Sequence, residues 1–425
     1  MKSDGGHGQF VCRDQHGWVE IDLDGITQNY EKIRSYLDQK TKLLAVVKAD
    51  AYGHGAYPVA SQMEDLGADY LGVSLPEEAL KLRNNGIKMP IFIMAPVLEE
   101  WYFELIRCGV TLSLSSLESA RALNKVALEM DEKAVVHIEI DTGMGRYGIE
   151  ERAAIEFVRE VKKLKGLELE GLFTHFASAD EANGRFAKKQ LESFQSLRQT
   201  LESESIDIPL YHCANSSAAV NFESSHMDMV RIGSLLYGQD LTGGKKIDVK
   251  SSWDLKAKLV SVREMPAGAN IGYGDDCRLK RDSIIGVIPL GFSDGVLMQT
   301  IQRPYTFVKA AKFALKSFMR YLDMRKTRET VRFRGERYPV IGRVGMQHTT
   351  IDLTGADNPR TGEIISMYVR KASVNPLIPK TYIWKGKPFH WHENEMMEGY
   401  CKTDLDQSEK TQEVFSDKAG VELHE

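Results

Sequence analysis

The sequence predicts an α/β protein, a (β/α)₈ TIM barrel followed by a mainly β C-terminal domain. Three observations predict it. Eight short apolar runs recur between residues 43 and 232, separated by amphipathic segments at helical spacing. Strands alternating with helices pair in parallel through right-handed crossovers, and eight such units close a barrel. No G-x-G-x-x-G follows the first run, which disfavours a doubly wound dinucleotide sheet. Beyond Ser252 the pattern changes to strand-length runs broken by Gly and Pro.

The barrel runs are 43–47, 70–74, 90–94, 110–114, 135–140, 169–174, 209–212 and 229–232. Amphipathic stretches such as 75–85 and 152–164 lie between them, with Gly near several helix ends. In the second half, 260–263, 283–289, 331–333, 338–341 and 349–353 read as strands. The expected organisation is a loose polar arm over 1–17, the barrel over 18–251, the β domain over 252–400 and a polar, charge-rich tail over 401–425. One segment near 304–330 stands apart. Phe307, Val308, Ala311, Ala314, Leu315, Phe318, Met319 and Leu322 recur at helical spacing among Lys309, Lys312, Lys316, Arg320, Arg325, Lys326 and Arg328. The expected form is an amphipathic helix packed on its own domain with a solvated basic face; the alternative is a helix that meets a membrane surface or an acidic partner.

Composition excludes several classes. The chain has 425 residues, 42% of them hydrophobic and 27% charged, as in ordinary globular proteins. A net charge of −5 gives no reason to expect nucleic acid. No apolar stretch reaches the roughly 18 residues of a transmembrane helix, and Met1–Gly8 lacks a signal-peptide core. Five cysteines without a C-x-x-C pair fit reduced thiols in the cytoplasm rather than disulfides or a metal site.

Barrel enzymes carry their chemistry at the carboxyl ends of the strands, with phosphate often held after strands seven and eight. Those ends are unusually polar here. The first run ends at Lys48, followed by Tyr52, His54 and two glycines. A lysine emerging from a buried strand is partly desolvated, which lowers its pKa and makes it a nucleophile, able to form Schiff bases. The fifth run leads into Asp141-Thr142-Gly143-Met144-Gly145-Arg146. The sixth ends at His175, and the seventh at His212 with Asn215-Ser216 after it. The eighth carries Arg231 and then Gly233-Ser234, small residues that let backbone approach an anion.

These stretches, with 47–55, 141–148, 170–177, 231–238, 272–274, 291–295 and 342–346, run in one order from about residue 18 to 355, and in this the chain resembles the alanine racemase family, fold-type III pyridoxal phosphate enzymes. The resemblance implies pyridoxal 5'-phosphate as cofactor and a head-to-tail homodimer with shared active sites. It implies that Lys48 holds the cofactor as a Schiff base and acts as base on one face, and that Tyr273 of the second copy is the base on the other. Inverting a stereocentre needs a proton removed from one side and delivered to the other. It implies further that Tyr52, Ser216, Gly233 and Ser234 hold the phosphate, with His175, Asn215 and Tyr237 also in the cofactor site. Arg231 faces the ring nitrogen, and Arg146 and the backbone of Met346 take the substrate carboxylate.

The expected reaction is interconversion of L- and D-alanine. The alternatives are another small amino acid such as serine, or a cofactor-binding homologue with little turnover. A decarboxylase is disfavoured because its His-x-Gly-Ser and Cys-containing motifs are absent. Four departures stand out. Glu139 replaces a carbamylated lysine and keeps a negative charge near Arg146. Met-Asp-Gln becomes Met346-Gln347-His348, and Gly-Tyr-x-Asp-Gly becomes Gly291-Phe292-Ser293-Asp294-Gly295. No C-terminal phosphate-binding tyrosine is identifiable.

Overall fold

A computed structural model describes residues 15–389, apart from 182–183, 245, 276, 298–306 and 322–329. The expected tail over 401–425 lies outside the described residues, as does the arm over 1–14.

All eight barrel strands form: Lys42–Val46, Tyr70–Val73, Ile91–Ile93, Val110–Leu114, Ala134–Asp141, Leu167–Phe173, Leu210–His212 and Met229–Ile232. They pair in parallel in sequence order, with the eighth beside the first. Single backbone hydrogen bonds bring the eighth strand to the seventh, from Asp228 N to Tyr211 O (3.0 Å) and from Arg231 N to Ala214 O (2.9 Å). The sheet is thus a nearly closed parallel barrel. Alternation along each strand sorts its side chains. Leu43 and Ala45 join the shell between strands and helices. Leu44 and Val46 point inward with Tyr70, Phe92, Phe173, Leu210 and Met229. Each such buried apolar side chain contributes roughly 1.5–3 kcal/mol. The helices expected over 75–85 and 152–164 are Pro76–Asn84 and Glu151–Lys163.

The second domain is built on a ten-stranded sheet. The five expected strands appear as Ser261–Met265, Ser283–Ile288, Thr330–Phe333, Glu336–Ile341 and Thr349–Asp352. Trp253–Lys258, Ile364–Met367, Lys380–Trp384 and Lys387–Phe389 add to them. The strand nearest the N-terminus, Gly17–Asp22, lies in this sheet and not in the barrel. It pairs antiparallel with Trp253–Lys258 and parallel with Lys380–Trp384. Val19 and Ile21 are buried in the main core, and Glu20 accepts a 2.5 Å bond from Lys256. A short strand with one apolar face satisfies its backbone wherever a sheet edge is offered.

The segment near 304–330 contains a helix, Phe307–Tyr321. Its expected packing is not made among the described residues: Phe307, Phe313, Leu315 and Phe318 all stay exposed. Helical spacing gathers an apolar stripe, but the other described residues do not cover it. No described helix is long and apolar enough to cross a membrane.

Candidate active site

The polar strand ends converge on a cavity of about 460 Å³. Lys48, Tyr52, Arg146, His175, Asn215, Ser216, Arg231 and Ser234 all line it.

Lys48 owes its place to an unusual turn. Ala49, Asp50, Ala51 and Tyr52 are left-handed, with φ between 50° and 57°. Such a conformation costs about 1–2 kcal/mol for each non-glycine residue. Neighbours hold it in place. The Glu78 carboxylate accepts from Ala49 N (2.5 Å), Ser74 N (2.9 Å) and Leu75 N (3.1 Å). Asp50 Oδ1 accepts from Ala56 N at 2.7 Å. His54 is fully buried, with Nδ1 2.8 Å from Ala51 O and Nε2 3.1 Å from Ser252 Oγ. Burial lowers its pKa to about 3, so it is a neutral brace and not a cavity group. The regular helix is delayed to Ala56–Asp65, and the lysine is left at the mouth. Burial lowers the pKa of Lys48, and so do Arg146 and Arg231, while Glu78 opposes.

At one end of the cavity Ser216 Oγ accepts from Gly233 N at 3.0 Å. A Cβ at Gly233 would lie 2.6 Å from Tyr52 OH, so only glycine leaves this cradle open. The hydroxyls of Tyr52, Ser216 and Ser234 are donors suited to an anion. Tyr237 stands behind the cradle. It is fully buried, donates to Val46 O at 2.8 Å and has its ring centroid 4.9 Å from that of Tyr52. Asn215 caps its helix by accepting from Ala218 N at 3.0 Å.

Arg231 is buried and anchored by both Nη atoms. Nη1 donates to His212 Nδ1 (2.8 Å) and His212 O (3.1 Å); Nη2 donates to Thr174 O (2.7 Å), Cys213 O (3.1 Å) and His175 Nδ1 (3.2 Å). Burial lowers its pKa to about 10, which leaves it a cation at neutral pH. His175 is held neutral, lowered to about 3 by burial and by Arg231, Arg146 and Lys48. Since Nδ1 accepts from Arg231, His175 carries its proton on Nε2. Arg146 follows a loop folded by Asp141, whose Oδ1 accepts from Gly143, Met144 and Gly145. Cys213 is no nucleophile, because burial pushes its thiol up to about 12.

Tyr273 and Met346 do not reach this cavity within one protomer. They are 74% and 63% exposed. Their segments converge elsewhere: Phe292 N donates to Gly345 O (3.0 Å), Ser293 N to Met346 O (3.0 Å), and Gly272 packs against Arg343. Phe292 is exposed in the same patch. Three motifs distant in sequence thus meet in one exposed patch on the β domain.

Comparison with known proteins decides the family. The model of the alanine racemase N-terminal domain matches residues 21–240, and that of the C-terminal domain matches residues 252–377. The chain belongs to the alanine racemase family. It is an enzyme of the amino-acid racemase type, an isomerase. It is 34% identical over 355 residues to the alanine racemase of Methanococcus maripaludis, covering 83% of this chain and 88% of that one. It is 38% identical over 290 residues to alanine racemase 1 of Oceanobacillus iheyensis, covering 67% and 77%. Among solved structures, the alanine racemase of Clostridium difficile 630 superposes with a TM-score of 0.78 at 26% identity, over 89% of this chain and 98% of that one. The Bacillus anthracis enzyme with bound L-Ala-P gives 0.75 at 26% identity, over 88% and 97%.

Against this family background, Glu139 stands where the sequence suggested a substitute for a carbamylated lysine. It is buried, and its Oε2 has no hydrogen-bond partner. Burial raises its pKa to about 7, against the pull of Arg146 and Arg231. Above that pH its charge attracts Arg146 through space; below it that attraction is lost. If Arg146 takes the substrate carboxylate, as the resemblance implies, the KM for the amino acid is expected to rise as pH falls from about 8 to about 6. In Glu139→Gln, KM should be about fivefold higher at the upper pH and flat across the window, the size of an ion-pair contribution of about 1 kcal/mol. Steady-state kinetics at both pH values check this. Stability runs the opposite way. The folded pKa exceeds the unfolded one of about 4.3, so the native state keeps a proton that the unfolded chain has lost. Stability therefore falls as pH rises from about 4.3 to about 7 and levels off above, and Glu139→Gln should lack the fall in thermal melts.

Tyr382 does not line the cavity with Lys48. It packs on Gly55 and lines a separate cavity beyond the left-handed turn. Tyr400 lies outside the described residues. Sequence reasoning gave no role to Glu78, His137 or Glu170. Period two alone would have put His137 on the same face as Glu139.

Proposed function

We propose that this enzyme interconverts L- and D-alanine with pyridoxal 5'-phosphate, using Lys48 and the Tyr273 of a second copy as opposed bases. The observation that carries it is the shared cavity. An amine of lowered pKa, a hydroxyl cradle around Gly233 and a buried cation line the same space. The donor set fits the cofactor: hydroxyls and amides for a phosphate, Lys48 for an aldehyde, Arg231 for a ring nitrogen. When bound, pyridoxal phosphate supplies an electron sink that makes the substrate α-proton labile.

Lys48 would hold the cofactor through Nζ and move a proton on one face of the substrate carbon. Its lowered pKa favours the free amine. The opposite face belongs to Tyr273. A phenol of ordinary pKa near 10 needs hydrogen-bond donors to serve as a base. His175 Nε2–H, backed by Arg231, is the donor this chain offers. Arg231 remains protonated and keeps its protons. Arg146 holds the substrate carboxylate with its planar fork. The exposed patch of Tyr273, Phe292 and Met346 is the surface a second copy would use to complete the site in a homodimer. The cytoplasm is the compartment this reading expects, in keeping with free thiols at Cys108, Cys213 and Cys277.

The test is a chiral screen of the protein supplied with cofactor. Alanine enantiomers should interconvert faster than those of serine. Serine ahead of alanine would replace the substrate, and cofactor binding without turnover of any small amino acid would sink the reading.

A further inference from the structure

Behind Arg231 a line of hydrogen bonds runs through the barrel interior to its opposite end. His212 Nε2 lies 2.9 Å from His137 Nδ1. His137 Nε2 lies 2.8 Å from Glu170 Oε2, and Tyr70 OH donates to Glu170 Oε1 at 2.8 Å. Both histidines are fully buried, packed among Phe92 and Phe173. Tyr70 opens its strand at the amino-terminal end, where Lys42 lies over its ring.

The ends of this line dictate its middle. A guanidinium only donates, so His212 Nδ1 must accept from Arg231. Burial keeps His212 neutral, as does the nearby Arg231 charge. Its single proton is then on Nε2 and is donated to His137 Nδ1. His137, also held neutral by burial, must carry its proton on Nε2 and donate it to Glu170. Burial alone would raise the Glu170 carboxyl, but the bonds from His137 and Tyr70 bring it below its usual range, so it is ionised. A carboxylate only accepts, so the direction fixed at Arg231 agrees with the direction fixed at Glu170. The line also carries a counter-charge to a buried cation that touches no carboxylate directly. Buried charges need such pairing.

We propose that Glu170 is a positioning residue for Arg231: through His137 and His212 it locks the tautomers that hold the guanidinium edge against the cofactor site. This rests on the reading that Arg231 meets the cofactor ring. Two local features make the lock possible. The pairing of the fifth and sixth strands shifts register between Val136 and His137, so that Val136 faces Leu169 and His137 faces Gly171. Glu170 is the extra residue of that bulge, where alternation of side chains is broken. Gly171 makes room for the imidazole, since a Cβ there would lie 2.8 Å from His137 Nδ1.

Nitrogen-15 spectra of histidine-labelled protein read the tautomers directly, without turnover. In the wild type both His137 and His212 should be Nε2–H; an Nδ1–H form of either overturns the proposal and needs no variant. In Glu170→Gln, whose amide can donate or accept, one or both should become mixed. With cofactor bound, its visible band should shift and kcat should fall about tenfold while KM stays within about twofold, as when a partner behind a ligating residue is lost. Tyr70→Phe, which leaves the His137 bond intact, should keep both tautomers and the wild-type band. Unchanged tautomers in Glu170→Gln overturn the lock. Altered tautomers with an unchanged band and kcat overturn its link to Arg231. If the protein turned over no amino acid, the tautomers would still test the lock, so its failure and that of the proposed function are separable.

Discussion

Lys48→Ala should abolish racemisation, with a loss of about a thousandfold or more. One positioned acid–base group is typically worth about 10²–10⁴ in rate, and among the described residues that line the cavity Lys48 alone carries an amine to hold the cofactor covalently. The same variant should lose the visible Schiff-base band. Its fold should not suffer. The left-handed turn is braced by Glu78, Asp50 and His54 and not by the lysine side chain. Lys48 moreover stands near two other cations. Its pKa is depressed in the folded protein, so between the folded and unfolded values the unfolded chain binds more protons, and the native state gains stability as pH rises towards the unfolded pKa of about 10.4. Removing the group should leave the melting temperature at pH 7 no lower than that of the wild type. A well-folded Lys48→Ala protein with wild-type turnover would refute its role as base and anchor.

Two dead variants should rescue each other. Tyr273→Phe alone should lose racemisation by a comparable factor, yet in deuterated water it should still exchange the α-proton of one enantiomer, through Lys48. If Tyr273 acts across a dimer interface, refolding equal amounts of Lys48→Ala and Tyr273→Phe makes about half of the dimers mixed. One of the two sites in each mixed dimer combines an intact Lys48 with an intact Tyr273. About a quarter of wild-type activity should return. The exposure of Tyr273, which does not line the cavity of its own chain, makes this a sharp test. No recovery in mixtures verified to contain mixed dimers would place the second base within one chain or on another residue.

Much of the site was legible because it follows a simple rule. A parallel barrel puts the residue after each strand at one mouth. Reading Lys48, Arg146, His175, Ser216, Arg231 and Ser234 off strand ends therefore grouped residues that the fold does bring together. Less legible were groups whose role depends on packing. The resemblance implies Tyr237 in the cofactor site, yet its hydroxyl is committed to Val46 O behind the cradle and it does not line the cavity. The apolar stripe of helix Phe307–Tyr321 is plain in the sequence, but spacing cannot say whether anything covers it.

By itself the sequence determined the barrel, the β domain, the family and the residues at the strand ends. These depend on periodicities and motifs that are local in the chain. The tertiary structure alone decided three things. Gly17–Asp22 joins the second domain, because a strand takes whichever edge satisfies its backbone. The turn after Lys48 is left-handed, because Glu78 from another element holds it. Glu170 faces inward, because a bulge breaks the alternation by which strands are read and brings its carboxylate to the far end of a line of histidines from Arg231.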